Sequence, residues 1–203
     1  MKRVVARACL LLLPASLFGQ TKTIDSLLGV LQNARHDTTR IYLNFQLADQ
    51  LSFYDIAGAY KHLEAGYALA KTGYNKYYTA YYFKKKGDLL FDMAKYTESS
   101  ANFDSAIVLY NNLINAEKPD AYLETYKFDK TDCLTGKGLL AAKLYRYEES
   151  IQYYLEAIAG IEDLKGNRKN SYLATLYADI ASDYYAIWRS EERRVGKKCR
   201  SRW

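Results

Sequence analysis

The chain has 203 residues, 49% of them apolar, and carries 21 tyrosines but only 2 prolines and 11 glycines. That balance favours helices packed on helices and argues against a turn-rich β fold. The formal charge of +6 sits at the two ends: Lys2, Arg3 and Arg7 contribute +3 and residues 189–203 a net +5, which leaves the body at −2 and without an electrostatic footprint for a phosphate backbone.

In chain order, residues 1–19 combine a basic start, an apolar run from Ala8 to Phe18 and small residues near its end, the layout of a secretory signal peptide. The run is well short of the ~20 residues a membrane span requires, so we expect cleavage between Gly19 and Gln20 and an exported, periplasmic or cell-envelope protein. Cys9 stands at the start of the apolar run and not after it, which speaks against a lipid anchor. The mature body then holds Cys133 as its one cysteine before the tail, so packing rather than a disulfide must stabilise it. Residues 20–35 read as an N-terminal capping helix, with Ile24, Leu27, Leu28 and Leu31 on one side. Asp37, Thr38 and Thr39 offer side-chain oxygens to start the next helix. His36 and His62 have no companions at ligand spacing and read as surface or capping residues.

The stretch 83–107 reads as two short amphipathic helices around a turn at 94–96. Phe83, Leu90 and Met93 fall on the first stripe with Gly87 beside them; Tyr96, Ser99, Phe103, Ala106 and Ile107 fall on the second. Residues 134–158 repeat the pattern without a gap, 51 residues later: Leu134, Gly138, Tyr147, Ser150, Tyr154, Ala157 and Ile158 take the corresponding places. Leu43, Leu47, Ile56, Ala59, Leu63 and Gly66 form a weaker earlier copy, and Tyr177, Ile180, Ala181 and Tyr184 suggest the first helix of a fourth. Gly73 reads as a helix stop, Pro119 and Asp120 as a helix start, and Gly166 and Asn167 as a turn closing the third copy.

This order of aromatic, glycine, apolar residue, turn, aromatic, small, aromatic, small resembles the tetratricopeptide repeat, with Ser99 where alanine is usual and Asn111 where a proline often closes the unit. The resemblance implies an all-α, right-handed superhelical solenoid of antiparallel helix pairs over residues 36–188, with about three full repeats and part of a fourth. It also implies a binding scaffold whose first helices line a concave groove. In the best-matched unit that groove would present Tyr81, Lys84, Asp88 and Phe91, and in the next Asp132, Thr135, Leu139 and Lys143. The implied occupant is a protein or peptide; no pair of basic residues recurs across the units, so a receptor for carboxylate ends is not supported.

Three simpler readings accompany this one. The runs Lys84–Lys86 and Arg146 to Glu149 read as solvated helix faces. Each tyrosine pair (77–78, 81–82, 153–154, 184–185) would place one ring in the core and one at the edge. Cys133 reads as a small core residue. Gly136, Lys137 and Gly138 only superficially resemble a phosphate loop, since the earlier glycine and the following hydroxyl residue are missing. No nucleophile–base pair, metal cluster or cofactor motif is found, so we expect neither an enzyme nor a cofactor. Residues 189–203 lack an apolar stripe, resemble vector or adapter read-through, and are expected to form a non-native, disordered basic tail.

The export signal, the opening 24–51 and the degenerate repeats together are similar to the envelope-exposed sensor portions of certain Gram-negative signalling proteins. In those, the repeats precede a membrane span and a kinase or DNA-binding output domain. No such span or domain is found in this sequence. The alternative is a stand-alone exported repeat protein that organises an envelope complex or binds a glycan; neither reading fixes the oligomeric state.

Overall fold

The computed structural model describes residues 22–72, 76–116 and 122–200, with side chains described as far as Arg194. Those residues form eight helices and no strand, and neighbouring helices pack against one another. The signal-peptide reading of residues 1–19, the stop at Gly73 and the start at Pro119 and Asp120 lie outside the described residues. No described helix is long and apolar enough to cross a membrane.

The chain divides into two compact units that meet between Tyr78 and Thr79. In the first, α1 (residues 22–33) keeps Ile24, Leu27, Leu28 and Leu31 half-buried. Helix α2 (Asp37–Leu51) buries Ile41, Leu43, Asn44, Phe45, Leu47 and Ala48, and α3 (Ile56–Thr72) answers with Ala59, Leu63, Gly66 and Ala70. A Cβ added at Gly66 would lie 2.7 Å from the Phe45 ring, so glycine is what lets these helices close together. The aromatic is therefore on the first helix and the glycine on the second. The cap of α2 differs from the expectation: His36 occupies the N-cap with no side-chain bond, and Asp37 lies in the first turn. Asp55, by contrast, accepts from the Gly58 N–H (2.9 Å) and starts α3. Ile56, expected on the buried stripe, is exposed.

In the second unit two helix pairs repeat one arrangement. Helix α4 (Lys76–Asp92) pairs with α5 (Tyr96–Ile114), and α6 (Leu123–Lys143) pairs with α7 (Tyr147–Gly160). Both turns are left-handed at a non-glycine residue, Ala94 (φ 56°) and Tyr145 (φ 60°), which are 51 positions apart. In the first turn Lys95 N–H donates to Leu90 O and Ala94 N–H to Phe91 O, both at 2.9 Å. In the second, Arg146 N–H donates to Ala141 O (2.9 Å) and Tyr145 N–H to Ala142 O (3.0 Å). These are matched Schellman closures that satisfy the last carbonyls of each first helix. Met93 consequently falls in the turn and is partly exposed, rather than extending the stripe of α4.

The helix pairs lock in the same way. Ser99 Oγ donates to the Gly87 carbonyl (2.7 Å) and Ser150 Oγ to the Gly138 carbonyl (2.8 Å). A Cβ at Gly87 would lie 2.6 Å from the Phe103 ring, and one at Gly138 would overlap the Tyr154 ring. Phe103 and Tyr154 are each 1% exposed. Phe103 also abuts Gly136, where a Cβ would again fall 2.6 Å from the ring, so one side chain joins α5 to both α4 and α6. Gly136 and Gly138 are thus packing positions in a helix, in keeping with the rejection of the phosphate loop.

Gly166 (φ +98°) makes the turn into α8 (Asn167–Arg200). Leu176 and Ile180 of α8 join Leu134, Ile151, Tyr154 and Ala157 in one buried cluster. Of the fourth-copy residues, Ile180 is therefore in the core, while Tyr177 and Tyr184 are 56% and 58% exposed. The tyrosine-pair reading holds at 81–82 and 153–154, where Tyr82 and Tyr154 are buried and their neighbours half-buried. It fails at 184–185, where both rings are exposed. The helix does not stop at Trp188 as expected but runs on to Arg200. Glutamate and arginine are good helix formers, and Arg194 and Glu191 pair one turn apart at 2.8 Å, so this extension rests on local propensity without an apolar stripe.

Candidate partner-binding face

The groove residues expected from the sequence lie on α4 and α6, and the structure divides them into two groups. The N-terminal group is used internally. Lys84 is 5% exposed, which corrects its assignment to a solvated face. Its ammonium donates to Asp129 Oδ1 (2.5 Å) and to Asp132 Oδ2 (2.9 Å), tying α4 to α6. Burial pulls the ammonium toward neutrality, but the carboxylates of Asp132 and Asp129 outweigh it and hold its pKa well above the usual lysine value. Two of the expected positions, Lys84 and Asp132, are thus brought together, as partners of each other.

Tyr172 of α8 extends the chain of contacts: its hydroxyl donates to Asp132 Oδ1 (2.7 Å). Its pKa is pushed up to about 12, first by burial and then by the Asp132 carboxylate that accepts its proton. The Tyr172 ring packs on Phe128 with centroids 4.9 Å apart, and the Arg168 guanidinium lies 4.0 Å from the Phe128 ring centre. Lys84, Asp132 and Tyr172 therefore run as a polar line across the first helices α4, α6 and α8. Tyr81 flanks it, with the Lys84 and Lys85 ammonium groups 5.0 and 5.4 Å from its ring centre. Thr135 donates back to Thr131 O (2.9 Å). Cys133 is fully buried, and burial holds its thiol well above the ordinary range, so it is an inert core residue as expected.

The C-terminal group faces outward. Asp88 and Lys143 are exposed, Leu139 is 39% exposed, and Phe91 is half-buried with its ring 5.8 Å from that of Tyr96. These four positions present one acid, one base and two apolar groups at the surface of the two helices. Sequence reading missed Asp129, Phe128, Arg168 and Tyr172. The available signal was Asp129 and Asp132 one helical turn apart on α6, a carboxylate pair suited to a lysine entering from a neighbouring helix.

His36 is exposed, and His62 donates through Nδ1 to Asn44 Oδ1 (2.9 Å) within the first unit. Burial, then the charge of Lys61, lowers the His62 pKa. Among the described residues no three His, Cys, Asp or Glu side chains are grouped to hold a metal ion. No protein-family model matches the chain, and no curated protein matches it.

Proposed function

We propose that the chain is an exported, tetratricopeptide-like scaffold that holds a protein or peptide partner on the free faces of its first helices, as the input portion of an envelope signalling protein. The observation that carries this reading is the duplicated lock. Gly87, Ser99 and Phe103 and their counterparts Gly138, Ser150 and Tyr154 fix each second helix behind its first in the same way. Successive first helices with that relation curve into a right-handed solenoid and leave one face of each open for binding. The Lys84–Asp132–Tyr172 line favours a pre-organised face, because it pins three helices without requiring a ligand charge. Partner contact then falls to Asp88, Phe91, Leu139 and Lys143.

A photo-crosslinking amino acid placed at Leu139, and in a second variant at the exposed Val108 of α5, tests this in cells. A discrete crosslinked species from position 139 and none from position 108 is expected. Equal labelling from both would refute a directional binding face. N-terminal sequencing of the exported protein should begin at Gln20; recovery of an uncleaved cytoplasmic protein would remove the envelope assignment.

A further inference from the structure

We infer that the exposed face of α8 around Ala181 is a docking slot for one amphipathic helix that carries a small or hydroxyl residue four positions before an aromatic ring, as α5 and α7 do. The inference concerns the exposed face of α8 and not the face that holds the partner in the reading above.

The register comes from the repeats within this chain. Phe83, Gly87 and Leu90 on α4, and Leu134, Gly138 and Ala141 on α6, are spaced i, i+4, i+7, and Gly87 and Gly138 each meet a ring of the second helix. Of these six only Phe83 is not fully buried. Tyr177, Ala181 and Tyr184 have the same spacing on α8, and all three are exposed. The packing of α8 on α7 supports this register. Gly136, two residues before Gly138, abuts the aromatic of the preceding pair, Phe103. On α8, Leu176 and Ile180 share a buried cluster with Tyr154, the corresponding aromatic of its own preceding pair, while Tyr177, Ala181 and Tyr184 stay exposed. Helix α8 thus packs on α7 as α6 packs on α5, and the surface that α5 and α7 cover on their own first helices is open here.

What would fill the slot is defined by those two helices. Ser99 and Phe103, or Ser150 and Tyr154, place a hydroxyl on the backbone carbonyl of the small residue and a ring against its Cα, with Ala106 or Ala157 fully buried three residues on. Ala181 provides the small site, and the Tyr177, Tyr184 and Trp188 rings, each more than half exposed, provide its apolar rim. An aromatic rim around a small residue accepts a ring and excludes charge.

The probe is an acetylated, amidated, fluorescein-labelled peptide with the 19-residue sequence of α5, Tyr96–Ile114. Its binding to the full 203-residue chain is followed by anisotropy. Saturable binding is expected, weakened at least tenfold by Ala181→Arg in the chain or by Phe103→Ala in the peptide, and unchanged by Leu139→Arg on the partner-facing surface. Circular dichroism checks that Ala181→Arg, a change at an exposed position, leaves the fold intact. No binding at millimolar chain overturns the inference. So does binding that survives Ala181→Arg, which would mean exchange with the chain's own α5. Self-association abolished by Ala181→Arg but not displaced by the peptide would make a second copy the occupant and equally overturn it.

Discussion

Lys84→Met separates a structural ion pair from a solvated one. The Lys84 and Asp129 side chains are 6% and 7% exposed, so removing the ammonium strands a carboxylate in a dry site between α4 and α6. Breaking one partner of such a pair costs about 3–5 kcal/mol, a large part of the ~5–15 kcal/mol that holds a typical domain. At roughly 2–4 °C per kcal/mol for a chain of this size, the melting temperature should fall by about 10 °C. The double variant Lys84→Met with Asp129→Leu replaces the pair by apolar side chains and should recover most of that loss. Asp132, with its side chain 37% exposed, should rank below Asp129 when each is changed to asparagine. The pH dependence has a definite sign: the raised ammonium pKa means the pair's contribution is complete below the ordinary lysine value of 10.5 and is lost as pH climbs past it. The double variant should lack that alkaline component. Urea denaturation of the four proteins of the cycle, followed by circular dichroism, measures all of this. A Lys84→Met loss under about 1 kcal/mol, with no coupling to position 129, would refute the reasoning.

Four further outcomes follow from local geometry. Ala94→Gly and Tyr145→Gly relieve left-handed backbone at non-glycine residues and should each add up to about 1 kcal/mol; a lower melting temperature for either would contradict the matched turns. Gly138→Ala drives a methyl into the Tyr154 ring and should cost about 1–3 kcal/mol, while Gly29→Ala, with nothing within 4 Å, should gain about 0.5–1 kcal/mol in the same melting assay. Ser150→Ala removes a buried donor from the Gly138 carbonyl and should cost about 1 kcal/mol by urea titration. Asp183 is 6% exposed, its Oδ2 meets no hydrogen-bond partner among the described residues, and burial raises its pKa above 3.8. The folded chain therefore takes up that proton before the unfolded chain does, so this group favours folding as pH falls toward the carboxylate range; Asp183→Asn should be the more stable protein at pH 7 and should lose that acid gain.

Much of the second unit was legible in the sequence because its packing depends on residue size at fixed helical spacing. Gly87 and Gly138 could be matched from the order of large and small side chains, and their surroundings do correspond, down to the serine hydroxyl on each glycine carbonyl. Lys84 was misread because a run of three lysines looks solvated from composition, and its counter-charges lie 45 and 48 residues away. Tyr177, Ile180 and Tyr184 could be placed on one helix but not divided between core and surface, because an apolar stripe does not say which side of a helix its neighbour occupies; that is set by where α7 ends and how Gly166 turns the chain. The helical extension past Trp188 was missed because the reading relied on apolar periodicity, whereas this segment is helical through local propensity. The first unit was the least legible: Phe45 and Gly66 reverse the places of ring and glycine, so a pattern learned from 83–107 finds the helices but not their contact.

The duplicated lock is tested most directly by nuclear Overhauser effects on the labelled protein. The account predicts cross-peaks from the Gly87 and Gly136 Hα protons to one ring, Phe103, and from the Gly138 Hα protons to the Tyr154 ring, all with ring-current-shifted Hα resonances. Unshifted glycine protons, or cross-peaks from Gly87 and Gly138 to side chains at unrelated positions, would contradict it.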